Sequence, residues 1–419
     1  MTTTDPAEAL TDLEPLQAML ADAVIVGVGE ATRAAREVTT QGHRVVRLLV
    51  EHLGFRVLAI QDDEAAVERV NAYIRGHEGD ARAAMSDLWT PWRTEEMVAV
   101  LEWARAFNQR NPSDALRIVG LDPVSARPSD YQAVIDHVVD LPGDRLAELR
   151  LHYDTIVTAH EVPEHVQHAR GSHPGHPFVE HARDAYDLVA SLPAPGAALE
   201  KAKLILDWHA GSFAAGGFDY ALTRRRSVAA LTSLPRNEGA KVVYWEGMAF
   251  TANAARVIPA ALLDPFQSVG NELRGQLGSG YFSLLIAFAQ GNVSGLHPGQ
   301  RVPRPMAESA DATLTGAGPD RYLLDLRASR PGPVNDWLRG PHKLRIIGGV
   351  YDATADSDHY LTTGRLDEWF DAVLQVGAVT PTTLLRPARR NASCTPPWPS
   401  SEADTAASPS PNSSTASPT

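Results

Sequence analysis

A series of short apolar runs, each bounded by turn residues, constrains this chain more than any other feature. The runs are Ala23–Gly29, Phe55–Ile60, Leu116–Leu121, Lys241–Trp245, Tyr281–Ala287, Tyr322–Leu326, Leu344–Val350 and Ala372–Val376. Continuous rather than alternating hydrophobicity over about five to seven residues predicts strands covered on both faces, as in a mostly parallel sheet. Helical patterns lie between them. Residues 34–53 place Val38, Val45, Leu48, Leu49 and His52 at helical spacing. Residues 94–108 open on Thr94-Glu95-Glu96-Met97, a helix start, and carry Met97, Val100, Leu101 and Ala104 on one face. Strands alternating with helices predict an α/β fold, a mostly parallel central sheet flanked by helices.

One stretch breaks the rhythm. From Ser129 to about Arg236 the helical patterns are long and no strand stands out, which predicts a helical insertion or lid on the α/β core. The expected organisation is 1–128 as the first part of the core, 129–236 as the insertion and 237–390 as the second part. Residues 391–419 form a Ser/Thr/Pro-rich tail, too poor in aliphatic side chains to offset its ordering entropy and therefore expected to be disordered.

Composition removes several functional classes. The chain is 44% hydrophobic and 21% charged, and it contains no apolar run of the ~18 residues needed to cross a bilayer, so no membrane partner is expected. Its single cysteine, Cys394, excludes a disulfide framework and a cysteine-built metal centre. A net charge of −13 argues against a nucleic-acid partner, which needs a concentrated basic face. The N-terminus shows neither a basic n-region nor an apolar h-region, so the expectation is a cytoplasmic protein acting on a small molecule.

Familiar catalytic motifs are missing. Gly291-Asn-Val-Ser-Gly295 has its serine one place late for a nucleophile elbow. His160-Glu-Val-Pro-Glu-His165 has the wrong spacing for a zinc-protease helix, and Pro163 would break it. Gly27-Val-Gly29-Glu30 lacks the third glycine of a dinucleotide fingerprint. His152, His160, His165, His168, His173, His176 and His181 crowd one stretch at spacings a metal could use, but no acid or cysteine has diagnostic placement. They read as solvated surface histidines, and neither a metal nor a cofactor is expected.

The most informative segment is Gly29-Glu30-Ala31-Thr32-Arg33-Ala34-Ala35-Arg36-Glu37, where the first strand meets the first long helix. A carboxylate and two guanidinium groups concentrated there can form a charge-assisted network inside a cleft. Equally, the segment reads as an ordinary helix start, with Thr32 as cap and Glu37 facing solvent.

This segment, with His43-Arg44 and Leu49-Val-Glu-His-Leu-Gly-Phe55, resembles the opening of the erythromycin esterase family. The resemblance continues through Arg69–Gly76, Trp89-Thr-Pro-Trp-Arg-Thr-Glu-Glu96, Glu102-Trp103, Val119-Gly-Leu-Asp122, Lys241–Trp245, Leu323–Arg327 and Phe370–Leu374. It implies an α/β core with helical additions. It also implies, for the family's esterase members, opening of a macrolide lactone by water that histidine and glutamate activate, without a serine nucleophile.

The departures from that pattern carry the functional expectation. Where the family has a histidine after Gly-Glu-x-Thr, this chain has Arg33. The acid expected at the end of the second strand is Gln61, followed by Asp62 and Asp63. The family's Trp-Ala-His-Asn-x-His is here Trp245-Glu246-Gly247-Met248-Ala249-Phe250, without either histidine, and its Arg-Asp pair becomes Arg224-Arg225. Glu30 and Asp122 remain in register. A guanidinium cannot accept a proton near neutral pH as imidazole does, and an amide cannot ionise. A carboxyl raised towards neutrality by burial can move protons. The expectation is therefore a repurposed biosynthetic enzyme performing non-hydrolytic acid/base chemistry (cyclisation, elimination or isomerisation) on an apolar natural product such as a polyketide. Glu30, Glu246 and Asp122 would be catalytic. Arg33, Arg36, Gln61, Asp62, Arg224 and Trp245 would bind substrate. A silent binding protein and a hydrolase with a rearranged site are the alternatives.

Overall fold

In the computed structural model the described residues are 10–385, apart from 123–124, 140–143, 212–219, 258–265, 295–299, 318, 331 and 349–350. The tail expected at 391–419 lies outside them. Among the described residues ten strands occur in chain order: β1 (Ile25–Glu30), β2 (Phe55–Asp63), β3 (Arg117–Asp122), β4 (Lys241–Gly247), β5 (Tyr281–Val293), β6 (Gln300–Val302), β7 (Arg321–Asp325), β8 (His342–Arg345), β9 (Tyr360–Gly364) and β10 (Ala372–Val379). The main sheet runs β3-β2-β4-β1-β5-β10-β7, with β6 paired to β5. Its pairings are parallel except at β10–β7 and β5–β6. Every residue of β1 is buried, as expected of a strand covered on both faces.

The run at Leu344–Val350 behaves differently. It shares only Leu344 and Arg345 with a strand, β8, which pairs antiparallel with β9 in a separate two-stranded sheet. A short apolar run reports burial but not which sheet provides it. The strand β9, whose Tyr360-Leu-Thr-Thr-Gly364 mixes polar and apolar residues, had no comparable signal.

Helices cover both faces of the main sheet. Helix Arg36–Leu53 buries Val38, Val45, Leu48 and Leu49 as the spacing implies, although His52 is exposed. Helix Glu95–Arg110 starts at Thr94, whose side chain accepts from Met97 N–H, and buries Met97, Val100, Leu101 and Ala104. Between β3 and β4 every described element is helical. Helices Pro128–Val139, Arg145–Ile156, Phe178–Ala190 and Gly196–Gly211 pack on one another. Helix Tyr220–Glu238 instead lays Val228, Leu231 and Leu234 on the sheet face formed by Ile25, Val57, Val242 and Tyr244. No helix is long and apolar enough to cross a membrane among the described residues.

Close packing beneath the site depends on Gly42. A Cβ there would lie 2.4 Å from Trp245 Cζ2, well inside van der Waals contact. Glycine to alanine inside a helix ordinarily adds about 1 kcal/mol of stability. At this position the overlap is expected to reverse the sign, so that Gly42→Ala loses about 1–3 kcal/mol. A chemical-denaturation midpoint checks this, and an unchanged or raised midpoint would show that Trp245 moves aside without cost.

Candidate active site

Parallel register brings the chemistry together. Along β1 and β4, Gly29 pairs with Glu246 and Glu30 with Gly247, while Ile60 on β2 pairs with Trp245 and Asp63 with Asp122. Glu30, Gln61, Asp62, Asp122 and Glu246 therefore all lie at the carboxyl ends of neighbouring strands, the edge where α/β sheets place their ligands. Successive residues on a strand face opposite ways. Glu30 accordingly shares its face with Val28 and Trp245, and Glu246 shares the other face with Tyr244.

Arg33 spans the two faces. It leaves the turn after β1 and donates from Nη1 to Gln61 Oε1 at 3.0 Å, while Nη2 pairs closely with Glu246 Oε1. Its Nε lies 3.5 Å from Glu30 Oε2. Two indoles flank the guanidinium, with ring centroids at 5.1 Å (Trp89) and 4.8 Å (Trp92) from its carbon. Trp92 is itself fixed by an N–H bond to the Gln61 carbonyl at 2.8 Å. The Arg33 side chain remains 14% exposed, so this buried network still meets solvent at one point.

The carboxyls around Arg33 differ in environment. Glu30 is buried, and burial raises it to about 7 against the opposing Arg33 charge and Trp245 indole. Neither of its oxygens has a hydrogen-bond partner of normal geometry among the described residues. Burial lifts Asp62 to about 7, although the backbone N–H groups of Trp89 and Asp63 donate to it at 2.8 and 2.9 Å. Asp122 rises to about 6 through burial and the neighbouring Glu246 charge. Glu246 also accepts from Gly247 N–H at 2.8 Å. Asp63 is occupied structurally, since it caps helix Glu64–Ile74 through Ala66 N–H and accepts from Arg127 at 3.2 Å.

Three expected ligand contacts fall outside the cluster. Arg36 is half exposed and pairs with Glu96 at 3.1 Å and with Thr383 at 3.2 Å, because the helix begins at Arg36 and turns it outward. Arg224 pairs with Glu272 at 2.9 Å. Of the Arg224-Arg225-Arg226 triplet it is Arg226 that acts electrostatically on Asp122, behind the stronger charge of Arg33. Consecutive residues on a helix point about 100° apart, so only one member of the triplet can face the strand ends. Trp245 is wholly buried, edge-on to Trp92 at 5.9 Å, and supports the site from below. Thr32 does not cap the helix. Ala35 holds that position, and Thr32 accepts instead from Ala34 N–H at 3.2 Å. Glu37 binds Thr380 through its N–H and hydroxyl, both at 2.7 Å. Arg226, Trp89, Trp92 and Arg127 were missed from sequence; Trp89-Thr-Pro-Trp92, two large rings around a proline turn, was the available signal.

Among the described residues no imidazole hydrogen-bonds or pairs with Glu30, Arg33, Gln61 or Glu246. His43 stands edge-on to Trp103 at 5.4 Å, and His209 meets the Tyr131 hydroxyl at 2.9 Å in the helical segment. Phe250, where the resemblance led to the expectation of a histidine, joins Tyr220 and Phe266 in an aromatic stack, with the latter two rings 4.0 Å apart. The histidines expected on a solvated surface are so only at His168 and His176; His152, His160, His165, His173 and His181 are partly buried. Spacing along a helix cannot show which neighbouring helix will cover a side chain.

A mostly parallel sheet flanked by helices, with an arginine, an amide and several shielded carboxyls gathered at its strand ends, defines an α/β protein with a candidate site at that edge. The erythromycin esterase family model matches residues 50–379, and the chain belongs to that family. It is 24% identical over 119 residues to the erythromycin esterase type II of Escherichia coli, covering 28% of this chain and 27% of that protein. It is also 27% identical over 152 residues to the putative hydrolase YbfO of Bacillus subtilis (strain 168), covering 35% and 33%. The matches thus span about a third or less of these curated relatives. Among solved structures, a succinoglycan biosynthesis protein superposes with a TM-score of 0.62 at 22% identity, over 92% of this chain and 95% of that one. A mutant erythromycin esterase in its open conformation superposes with a TM-score of 0.55 at 15% identity, over 90% and 96%. These likenesses establish the fold.

Proposed function

We propose that this protein is an erythromycin-esterase-like enzyme that moves protons on a small, largely apolar natural product without activating water. The observation that carries the reading is the occupant of the site's centre. Arg33, a permanent cation, lies between Gln61, Glu246 and Glu30 with no imidazole in contact among the described residues. A guanidinium cannot deprotonate water, but it can stabilise negative charge that develops on a substrate oxygen. Glu30, raised to about 7, is poised between acid and base at neutral pH and is the proposed proton carrier. Glu246 anchors Arg33, and Asp122 tunes the local charge. Trp89 and the Tyr220–Phe250–Phe266 stack supply apolar surface for a ligand. Cyclisation, elimination and isomerisation all fit this proton traffic, with polyketides as the proposed substrate class.

One observation favours a second reading. Both Nη atoms of Arg33 are already engaged by protein, which suits a silent site that only holds its ligand. Turnover of candidate pathway intermediates in ¹⁸O-labelled water separates the readings. The expected result is a product without solvent oxygen, with turnover reduced at least about 100-fold in Glu30→Gln and less in Glu246→Gln. Binding without turnover, indifferent to both changes, selects the silent site. Acid and alcohol products carrying the label restore lactone hydrolysis.

A further inference from the structure

Away from the strand ends, the helical segment concentrates histidines around one buried acid. Glu164 opens the helix Glu164–Ala169, and one turn later His168 lies on the same side. The Gly171-Ser-His-Pro-Gly-His-Pro177 turn brings His173 back over both, its ring stacked on His168 at 3.7 Å. Glu164 is completely buried. Its Oε1 accepts from His173 Nε2 at 3.0 Å and from Phe178 N–H at 2.8 Å, while Oε2 is buried with no hydrogen-bond partner among the described residues. A buried carboxylate oxygen without a donor is costly, which points to a ligand supplying positive charge there. One donor atom from each of Glu164, His168 and His173 lies within 4.8 Å of the others.

We infer that Glu164, His168 and His173 form a divalent transition-metal site of the zinc type, with the fourth position open to solvent beside His168. Two imidazoles and a carboxylate are a ligand set zinc uses, at about 2.0–2.2 Å from each donor. A tetrahedral set with such bonds has donors roughly 3.3–3.5 Å apart, so no pair within the 4.8 Å span has to close by more than about 1.5 Å. Exposed His168 has the freedom to do so. Gly175 N–H donates to His173 Nδ1 at 3.0 Å, which places the metal-free proton on Nε2 facing Glu164. The metal replaces that proton, Nδ1 takes it up, and Gly175 turns its N–H away. The turn has room for this, since even a Cβ at Gly175 would meet nothing within 4 Å. The ion would clasp the turn onto the helix and neutralise the buried acid.

The test uses the full chain, stripped with a chelator and dialysed. Titration with Zn²⁺, and separately with Co²⁺, is expected to give one ion per chain and the strong visible absorption of four-coordinate Co²⁺. Glu164→Gln and His168→Gln should each weaken binding at least about tenfold, judged against the 10–100-fold losses seen even for residues behind the ligands. His77→Gln, an exposed histidine elsewhere, should leave it unchanged. His168 is exposed, so its variant keeps the test readable if Glu164→Gln fails to fold. The inference is overturned by absence of the Co²⁺ band, or by weak, super-stoichiometric binding that survives both substitutions.

Discussion

Replacing Arg33 with methionine is expected to cost about 3–5 kcal/mol of stability at pH 8, the range for removing one partner of a buried ion pair. The loss arises from what remains. Glu246, 4% exposed, keeps only the Gly247 N–H as donor, Gln61 Oε1 loses its bond, and Glu30 loses the nearest cation. A buried pair need not itself stabilise a fold relative to apolar replacements, because desolvation of both charges offsets their attraction. The double variant Arg33→Met/Glu246→Gln is therefore expected to recover most of the loss, a coupling a double-mutant cycle measures. Denaturation midpoints of the four proteins decide it. Equal, additive losses in both single variants would show that the pair contributes nothing as a unit.

The second large effect concerns Glu30 and depends on pH. The unfolded chain releases this proton near the ordinary value of 4.5, whereas the folded chain holds it to about 7. Between those values the folded state binds more protons, so ionisation of Glu30 progressively subtracts from stability as pH rises. Glu30→Gln carries no such penalty. The variant should match the wild type in pH dependence below about 4.5 and gain on it through pH 7, by roughly 2–3 kcal/mol at pH 8. Only the difference between the two proteins isolates this. Burial holds His43 near 3, His160 near 4 and His209 near 3, and these groups subtract stability in the opposite direction, as pH falls below their ordinary 6.5. Parallel stability curves for variant and wild type would falsify the raised carboxyl and, with it, Glu30 as proton carrier.

Much of the sheet was legible because burial on both faces leaves a direct trace in composition. The runs at β1, β2, β3, β4, β5, β7 and β10 all became strands of the main sheet. The gathering of candidate residues at strand ends was legible for the same reason, since knowing where a strand stops locates the edge. The run at β8 carried the same trace into a different sheet. Arg33 and Arg36 were both expected to bind substrate, yet one enters the cluster and the other pairs with Glu96 at its margin. The histidine stretch showed its helices but not the ring contacts between them.

The order of residues alone determined the alternation of strand and helix, and with it the placing of Glu30, Gln61, Asp122 and Glu246 at strand ends. These are local or positional properties, set by hydrophobic period and residue type. Only the tertiary structure decided that Arg33 bridges Glu246 and Gln61 beneath two indoles, that Arg226 rather than Arg224 acts on Asp122, and that Glu164 is buried under His173. Each joins residues distant along the chain. Their proximity comes from parallel register and helix packing, and the charge state of a carboxyl follows from what surrounds it rather than from its neighbours in sequence.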